Sequence, residues 1–341
     1  MKVILIGKGK MLANMIESAL ESGVEIAGVM RYERTTLSPV KLFLHDLFKT
    51  SHDLTLIKQY KLPEIRCNSA NSEEFRDYIL KSNADILIVG TWREKIKKEI
   101  FSMPKIGTVN IHPSLLPRYR GPNPYMQVIR RGEKKTGVTI HLMDENWDTG
   151  AILLQKEIDI LPDDTGKELR ERTFVAAREL TGEFLKKIQT EVIIPIQQNE
   201  SRATYFGNIN EIEKMLDFKN KTAEELYATI RAFHPWLPCY ITIGKHFLRV
   251  NPYKVTLENP PVSTLKEIMY KNIESAISED KKENFIPGQI VAKDGKTSSL
   301  TIVCKDGQTL KFEDLKLWGF FIRPFTGIFI KNLKIPEVYA Q

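Results

Sequence analysis

Residues 107–121 read GTVNIHPSLLPRYRG. Gly107–Ile111 is a short β-forming run, and it passes directly into His112-Pro113-Ser114. Proline restricts the residue before it and offers no backbone N–H, so a strand stops here and a loop follows over Leu115–Pro124. Side chains alternate across a strand, which puts Asn110 and His112 on one face and Val109 and Ile111 on the other. Two polar groups delivered at the carboxyl end of a buried strand suit an open α/β sheet, where ligands bind beyond those strand ends.

The sequence on either side repeats the same pattern. Val3–Ile6, Val24–Met30 and Asp85–Val89 are further apolar strands. Helical patterns run from Gly9 to about Glu21, over Glu73–Leu80, and over Glu94–Phe101, the last stopping before Pro104. Strands alternating with helices are the signature of βαβ units and a parallel sheet. After the loop comes a helix to about Arg131, then strands Gly137–Met143 and Ala151–Ile158 flanking Asp144–Gly150. A long helix starts near Thr165, where Thr165 and Glu168 have capping-box spacing, and Leu180, Phe184 and Ile188 continue its apolar stripe.

Beyond a polar stretch from Gln197 the texture changes. A helix at Thr222–Phe233 precedes short β-rich runs at Tyr240–Ile243, His246–Val250, Gly288–Ala292, Ser299–Cys304 and Thr309–Phe312, with Lys293-Asp294-Gly295-Lys296 and Asp306-Gly307 as turns. The expected fold class is therefore α/β: a Rossmann-like domain with a mostly parallel sheet over 1–196, a linker over 197–215, and a smaller OB-like β-barrel domain over 216–341. The charged segment Ser263–Asn284 reads as a loop or helix.

Composition narrows the function classes. The 341 residues, 42% hydrophobic and 27% charged, suffice for two domains with a sizeable core. No run approaches the ~18 apolar residues of a membrane span, and the opening MKVILIGKGKM reads as a first strand rather than a leader. A cytoplasmic enzyme is the expectation. Fifty basic against 43 acidic residues give a net charge of +7, a mild preference for anionic partners without a dense Lys/Arg cluster. Cys67, Cys239 and Cys304 show no CxxC pair and no metal-ligand spacing, so they read as buried or free thiols. Gly7 and Gly9 resemble the start of a dinucleotide fingerprint, but Leu12 stands where its third glycine belongs. They read as a tight turn with close helix–sheet packing, and a nicotinamide-dependent dehydrogenase is the weaker alternative.

The chemistry sits in the opening stretch and in Met143-Asp144-Glu145-Asn146-Trp147-Asp148-Thr149-Gly150. Asn110 offers an amide donor, and His112 can donate, accept or carry a proton. Asp148, on a neighbouring loop, can orient that histidine. A donor, an acid/base and a carboxylate make a plausible acyl-transfer site. The same residues also suit turn capping, because Asn, His and Asp are ordinary strand-end and turn residues.

The string Asn110–Gly121, the triplet Asp148–Gly150 and the intervening Gly137–His141 (GVTIH) resemble the formyltransferase family that uses 10-formyltetrahydrofolate. The match is strong over Ile86–Gln155 and looser over the rest of the first domain. This resemblance implies that Asn110, His112 and Asp148 are the catalytic set. It implies a folate pocket walled by Gly90–Ile96, with Trp92 and Ile96, and by Met143, Asp144 and Gly150, beside the loop Ser114, Leu115, Leu116 and Pro117. It also implies a 10-formyltetrahydrofolate co-substrate and no metal, since an amine attacking an activated formyl carbon needs no Lewis acid. Trp92 and Trp147 read equally as pocket edges or core residues.

The expected acceptor is the amino group of initiator methionyl-tRNA, with an amino-sugar nucleotide as the alternative. The first is favoured by the second domain, where Ile230–Trp236 and Pro287–Ile290 resemble that of tRNA-acting members. The second is favoured by the short Arg31–Ser38 stretch, by His141 and Thr91-Trp92-Arg93, and by Met215-Leu216-Asp217-Phe218 in place of a common junction motif. Arg31 and Arg34 read equally as nucleic-acid contacts or solvated loop charges. A non-catalytic nucleic-acid-binding relative stays a third class.

Overall fold

The structure is a computed structural model that describes residues 1–48, 51–258, 286–318, 323–333 and 340. The segment Ser263–Asn284 lies outside the described residues.

Strands β1 (Lys2–Gly7), β2 (Glu25–Arg31), β3 (Ile86–Gly90), β4 (Gly107–His112), β5 (Lys135–Leu142) and β6 (Ile152–Asp159) form a six-stranded sheet of order β2-β1-β3-β4-β5-β6. Its first four strands are parallel, and β5 and β6 add antiparallel. The apolar runs KVILIG and ILIVG, buried along almost their whole length, are what a sheet covered on both faces requires. The period of two sorts them. Val3, Leu5, Ile86, Ile88, Val109 and Ile111 enter one core cluster. Ile4, Ile6, Leu87 and Val89 enter the other.

Among the described residues, eight helices accompany these strands: α1 (Gly9–Glu21), α2 (Tyr32–Thr36), α3 (Pro39–Phe48), α4 (His52–Gln59), α5 (Glu73–Ser82), α6 (Lys98–Phe101), α7 (Pro124–Arg130) and α8 (Gly166–Thr190). Met11, Met15 and Ile16 of α1 and Phe174, Leu180 and Phe184 of α8 fill the first cluster, while Phe75 and Ile79 of α5 fill the second. The early glycines serve packing, as expected. A Cβ on Gly7 would lie 2.6 Å from the Gly90 carbonyl oxygen and 3.4 Å from Leu12, and Gly9 takes φ +53°.

Two expectations are corrected. The helix over Glu94–Phe101 is only the short α6. Residues 94–97 are held otherwise, because the Glu94 carboxylate accepts from Ser69, the Ala70 N–H and Asn71, and Asn71 Oδ1 takes the Lys97 N–H at 2.7 Å. These side-chain bonds compete with the helical ladder. Arg31 is neither a solvated charge nor a surface contact. It is fully buried at the end of β2, forked onto Asp46 at 2.9 and 2.7 Å with its Nε 2.7 Å from Glu64. Arg34 shares Glu64, at 2.9 and 2.5 Å.

The chain divides into two compact units: residues 1–128, 133–161 and 168–208, and residues 129–132, 162–167 and 209–341. Residues 197–208, polar enough to suggest a linker, bond into the first unit. Arg120 N–H donates to Thr204 O at 2.8 Å and Phe206 N–H to Arg120 O at 3.0 Å. The second unit is rich in antiparallel strands, as expected. It opens with α9 (Ala223–Phe233), closed at its start by a Thr222–Glu225 capping box. Strands β7 (Tyr240–Ile243), β8 (His246–Arg249), β9 (Val255–Glu258), β10 (Ile290–Asp294), β11 (Ser299–Val303), β12 (Thr309–Phe312) and β13 (Lys316–Leu317) form sheets of order β10-β11-β12-β9 and β13-β8-β7, followed by α10 (Arg323–Asn332). Among the described residues no helix is long and apolar enough to cross a membrane.

The Arg31 cluster has a measurable signature. Burial pushes the Asp46 and Glu64 carboxyls up, but hydrogen bonds and charge from Arg31 and Arg34 outweigh it and hold both below the usual carboxylate range. Their stabilisation is complete above the ordinary unfolded pKa of about 4 and is lost as pH falls through the depressed folded values. Arg31→Met should cost ~3 kcal/mol in urea unfolding, the low end for breaking a buried pair because Arg34 still faces Glu64. It should also flatten the dependence of stability on pH in the acid range.

Candidate active site

The site is built where β4 ends. Period two holds: Val109 and Ile111 enter the core, and Asn110 and His112 face the opposite side with Thr108, whose hydroxyl donates to Phe101 O at 2.8 Å. Pro113 ends the strand. The loop then turns back so that the Tyr119 carbonyl reaches His112, with Nε2 2.8 Å away. A carbonyl oxygen only accepts, so Nε2 carries the hydrogen, and Nδ1 is the nitrogen left for other work. Tyr119 pays for this turn with φ +62°, uncommon for an aromatic residue. Its N–H is fixed at 2.8 Å by Thr204 Oγ1.

Asp148 arrives from the loop between β5 and β6, at φ +59°. Its Oδ2 accepts the Gly121 N–H at 2.8 Å. Its Oδ1 lies 3.3 Å from Asn110 Nδ2 and 3.5 Å from His112 Nδ1. The amide, the imidazole and the carboxylate therefore converge, with the His112 and Asp148 side chains only 6% and 10% exposed. Glycines permit this closeness. A Cβ on Gly121 would meet Phe206 O at 2.2 Å, and one on Gly150 would meet Leu142 O at 1.9 Å.

Two side chains without a role in the sequence reading complete the site. His141 stands opposite Asn110 in the β4–β5 ladder, with Nε2 3.1 Å from Asn110 Nδ2 and 3.8 Å from Asp148 Oδ1. Burial pushes its pKa down to about 4, against the pull of Asp148 and with a further push from His112. Gln198 joins the two loops. Its Oε1 accepts from Arg120 at 3.2 and 2.8 Å, and its Nε2 donates to Asp148 O at 2.9 Å and Gly150 O at 2.7 Å. Nothing local in the sequence marks Gln198, which sits in an unremarkable polar run. His141 was legible as a residue but not as a neighbour of Asn110, because that depends on register.

The other expected positions fall into two groups. Trp92, Ile96 and Met143 share the second core cluster, Ile96 at 1% exposure inside it and the other two packed against it. Trp92 stands edge-on to Tyr32 at 5.3 Å, and its indole Nε1 is buried without a partner. Ser114 and Leu116 are buried within their own loop, where Ser114 Oγ donates to Arg118 O at 2.9 Å and the Leu116 carbonyl accepts from Gln155 at 2.9 Å. Leu115 packs over Gly137, and Pro117 is half-buried. Asp144 is held by the Asn146 N–H at 3.0 Å and by Thr149 at 2.6 Å, and Trp147 is 43% exposed. Among the described residues no group of three or more His, Cys, Asp or Glu is arranged to hold a metal ion. All three cysteines are free and buried.

Comparison with known proteins follows the same division of the chain. A family model described as formyl transferase matches residues 1–184, and one described as formyl transferase, C-terminal domain, matches residues 208–319. The methionyl-tRNA formyltransferase of Thermotoga maritima is 32% identical over 241 residues, 68% of this chain and 72% of that protein. That of Lachnospira eligens is 29% identical over 315 residues, covering 90% of this chain and 89% of its own. Among solved structures, the N-formyltransferase from Helicobacter canadensis in complex with folinic acid and dTDP-3-aminofucose superposes with a TM-score of 0.60 at 21% identity, covering 92% of this chain and 99% of that one. HypX from Aquifex aeolicus in complex with tetrahydrofolic acid gives 0.55 at 15% identity, covering 91% and 43%. At these identities the structural likeness speaks to the fold.

Gln198→Leu should leave Arg120 Nε and two carbonyls without their partner, while Glu200 keeps the rest of the guanidinium, at a cost of about 1–3 kcal/mol in unfolding experiments. The Gly121 amide should exchange with solvent faster as the two loops loosen, which hydrogen-exchange mass spectrometry can follow.

Proposed function

The chain belongs to the formyl transferase family, and from that premise we propose that it moves a formyl group from 10-formyltetrahydrofolate to the amino group of initiator methionyl-tRNA, using Asn110, His112 and Asp148. One observation carries the reading: the Asp148 carboxylate faces Asn110 at 3.3 Å and His112 Nδ1 at 3.5 Å. The apolar wall of Trp92, Ile96 and Met143, with one orphaned indole N–H, suits a flat, hydrogen-bonding pterin.

When bound, formyl-folate supplies an activated formyl carbonyl. The protein's part is to stabilise charge and move a proton. An Asn110 N–H is presented to the carbonyl oxygen as negative charge grows there. Preorganised donors of this kind are worth ~3–4 kcal/mol each. His112 Nε2 is committed to Tyr119 O, so Nδ1 is the nitrogen that takes part in proton transfer from the attacking amine. Asp148, tied down by Gly121, orients that ring and offsets positive charge on it.

The relatives support this acceptor. Proteins named methionyl-tRNA formyltransferase align across both halves of the chain. A second reading, an amino group on a sugar nucleotide, is favoured by one observation: Arg31 and Arg34 at the end of β2 are consumed by Asp46 and Glu64, which leaves neither to grip a tRNA backbone there.

Asn110→Ala, His112→Ala and Asp148→Ala should each lower turnover by about two orders of magnitude or more while circular dichroism stays native. Wild-type rates in any of them would remove that residue from the proposal. The acceptor is decided by supplying formyl-folate with charged initiator tRNA or with amino-sugar nucleotides. Formylation of the tRNA, falling steeply with added salt as phosphate contacts require, supports the first reading. Turnover of the sugar nucleotides alone would replace it with the second.

A further inference from the structure

His141 is 2% exposed and opposes Asn110 across the β4–β5 ladder. Its Nδ1 lies 2.8 Å from Leu142 O. That carbonyl can only accept, so Nδ1 carries the hydrogen and Nε2 presents a lone pair. Asn110 Nδ2 donates to that lone pair at 3.1 Å and to Asp148 Oδ1 at 3.3 Å. Turning the carboxamide over would place its oxygen against two acceptors at once. The amide is thus fixed from two sides, and the bond to His141 is the shorter.

We propose that His141 is a positioning residue for formyl transfer: its neutral ring holds one Asn110 N–H so that the other, only loosely kept by Asp148, is presented to the formyl oxygen. This rests on the reading of Asn110 as the oxyanion donor. The ring is surrounded by Asn110 and His112 from β4, with His112 at a centroid distance of 6.5 Å, and by Asp148 and Asp144 from the loop that follows β5. Burial dominates these influences and keeps the ring uncharged at neutral pH. A protonated ring would turn Nε2 into a donor and release the amide. Thr139, one turn of the pleat earlier on β5, bonds Ser114 O at 2.6 Å and so supports the loop rather than the amide.

The test uses the full chain and two readouts. In protein labelled with 15N-histidine, His141 should give the neutral Nδ1–H tautomer at pH 7, its signal identified by its loss in His141→Leu. An Nε2–H tautomer or a charged ring overturns the proposal whether or not the enzyme is active. In kinetics with formyl-folate and its acceptor, His141→Leu should lower kcat about tenfold with little change in KM for formyl-folate, as loss of one orienting bond implies. His141→Gln, whose carbonyl can still accept from Asn110, should recover most of that loss. In an Asn110→Ala background, His141→Leu should have no further effect. An equal loss in both backgrounds, or no rescue by glutamine, would mean that His141 merely fills space. If the wild-type protein itself transfers no formyl group, the function assigned to the site fails, and the tautomer experiment still reports on the geometry.

Discussion

The site depends on one carboxylate. Asp148 receives the Gly121 amide on one oxygen and faces Asn110, His112 and His141 with the other. Three pieces of chain meet there: the end of β4, the loop that follows it directly, and, further along the chain, the loop after β5. An acceptor-only group at such a junction needs donors, and the chain supplies a backbone N–H and an amide, with the His112 imidazole as a third donor once Nδ1 takes a proton. The carboxylate is in turn fixed from behind, because Gln198 holds the carbonyl of Asp148 itself.

This explains why the surrounding backbone is unusual. Tyr119 and Asp148 both sit at positive φ, and Gly121 and Gly150 approach other backbone so closely that no Cβ would fit. Strained or glycine-dependent backbone persists only where surrounding bonds over-determine it. Here the bonds are Thr204 to Tyr119, Arg120 to Gln198 and Glu200, and Gln198 to both carbonyls. Residues 198–204 are therefore part of the scaffold that shapes the site, although composition makes them look like a tether.

The Arg31 cluster illustrates a different constraint. Charge at a strand end invites a reading as a contact for an anionic partner. Burial rules this out, since a fully buried guanidinium must find its counter-ions inside the protein, and Asp46 and Glu64 are placed for that. Glu64 is contributed by a short stretch bridged to β2 at Val29, and Asp46 by α3, a helix that the polar, charged residues after β2 did not announce.

By itself, the sequence determined the order of the six strands of the first sheet and the two faces of β4, and its resemblance to the formyltransferase family pointed to the proposed catalytic set. The strands and the two faces follow from local rules: a period of two, proline as a stop, and short apolar runs separated by helices. The tertiary structure alone decided which residues face that set. The pairing of Asn110 with His141 depends on the β4–β5 register, which no local pattern fixes. The arrival of Gln198 and Thr204 depends on long-range backbone bonding, and the fate of Arg31 and of residues 94–97 on partners distant in sequence. Neighbours across a sheet or between loops are set by the whole fold, because their energy comes from contacts that exist only once the chain has closed on itself.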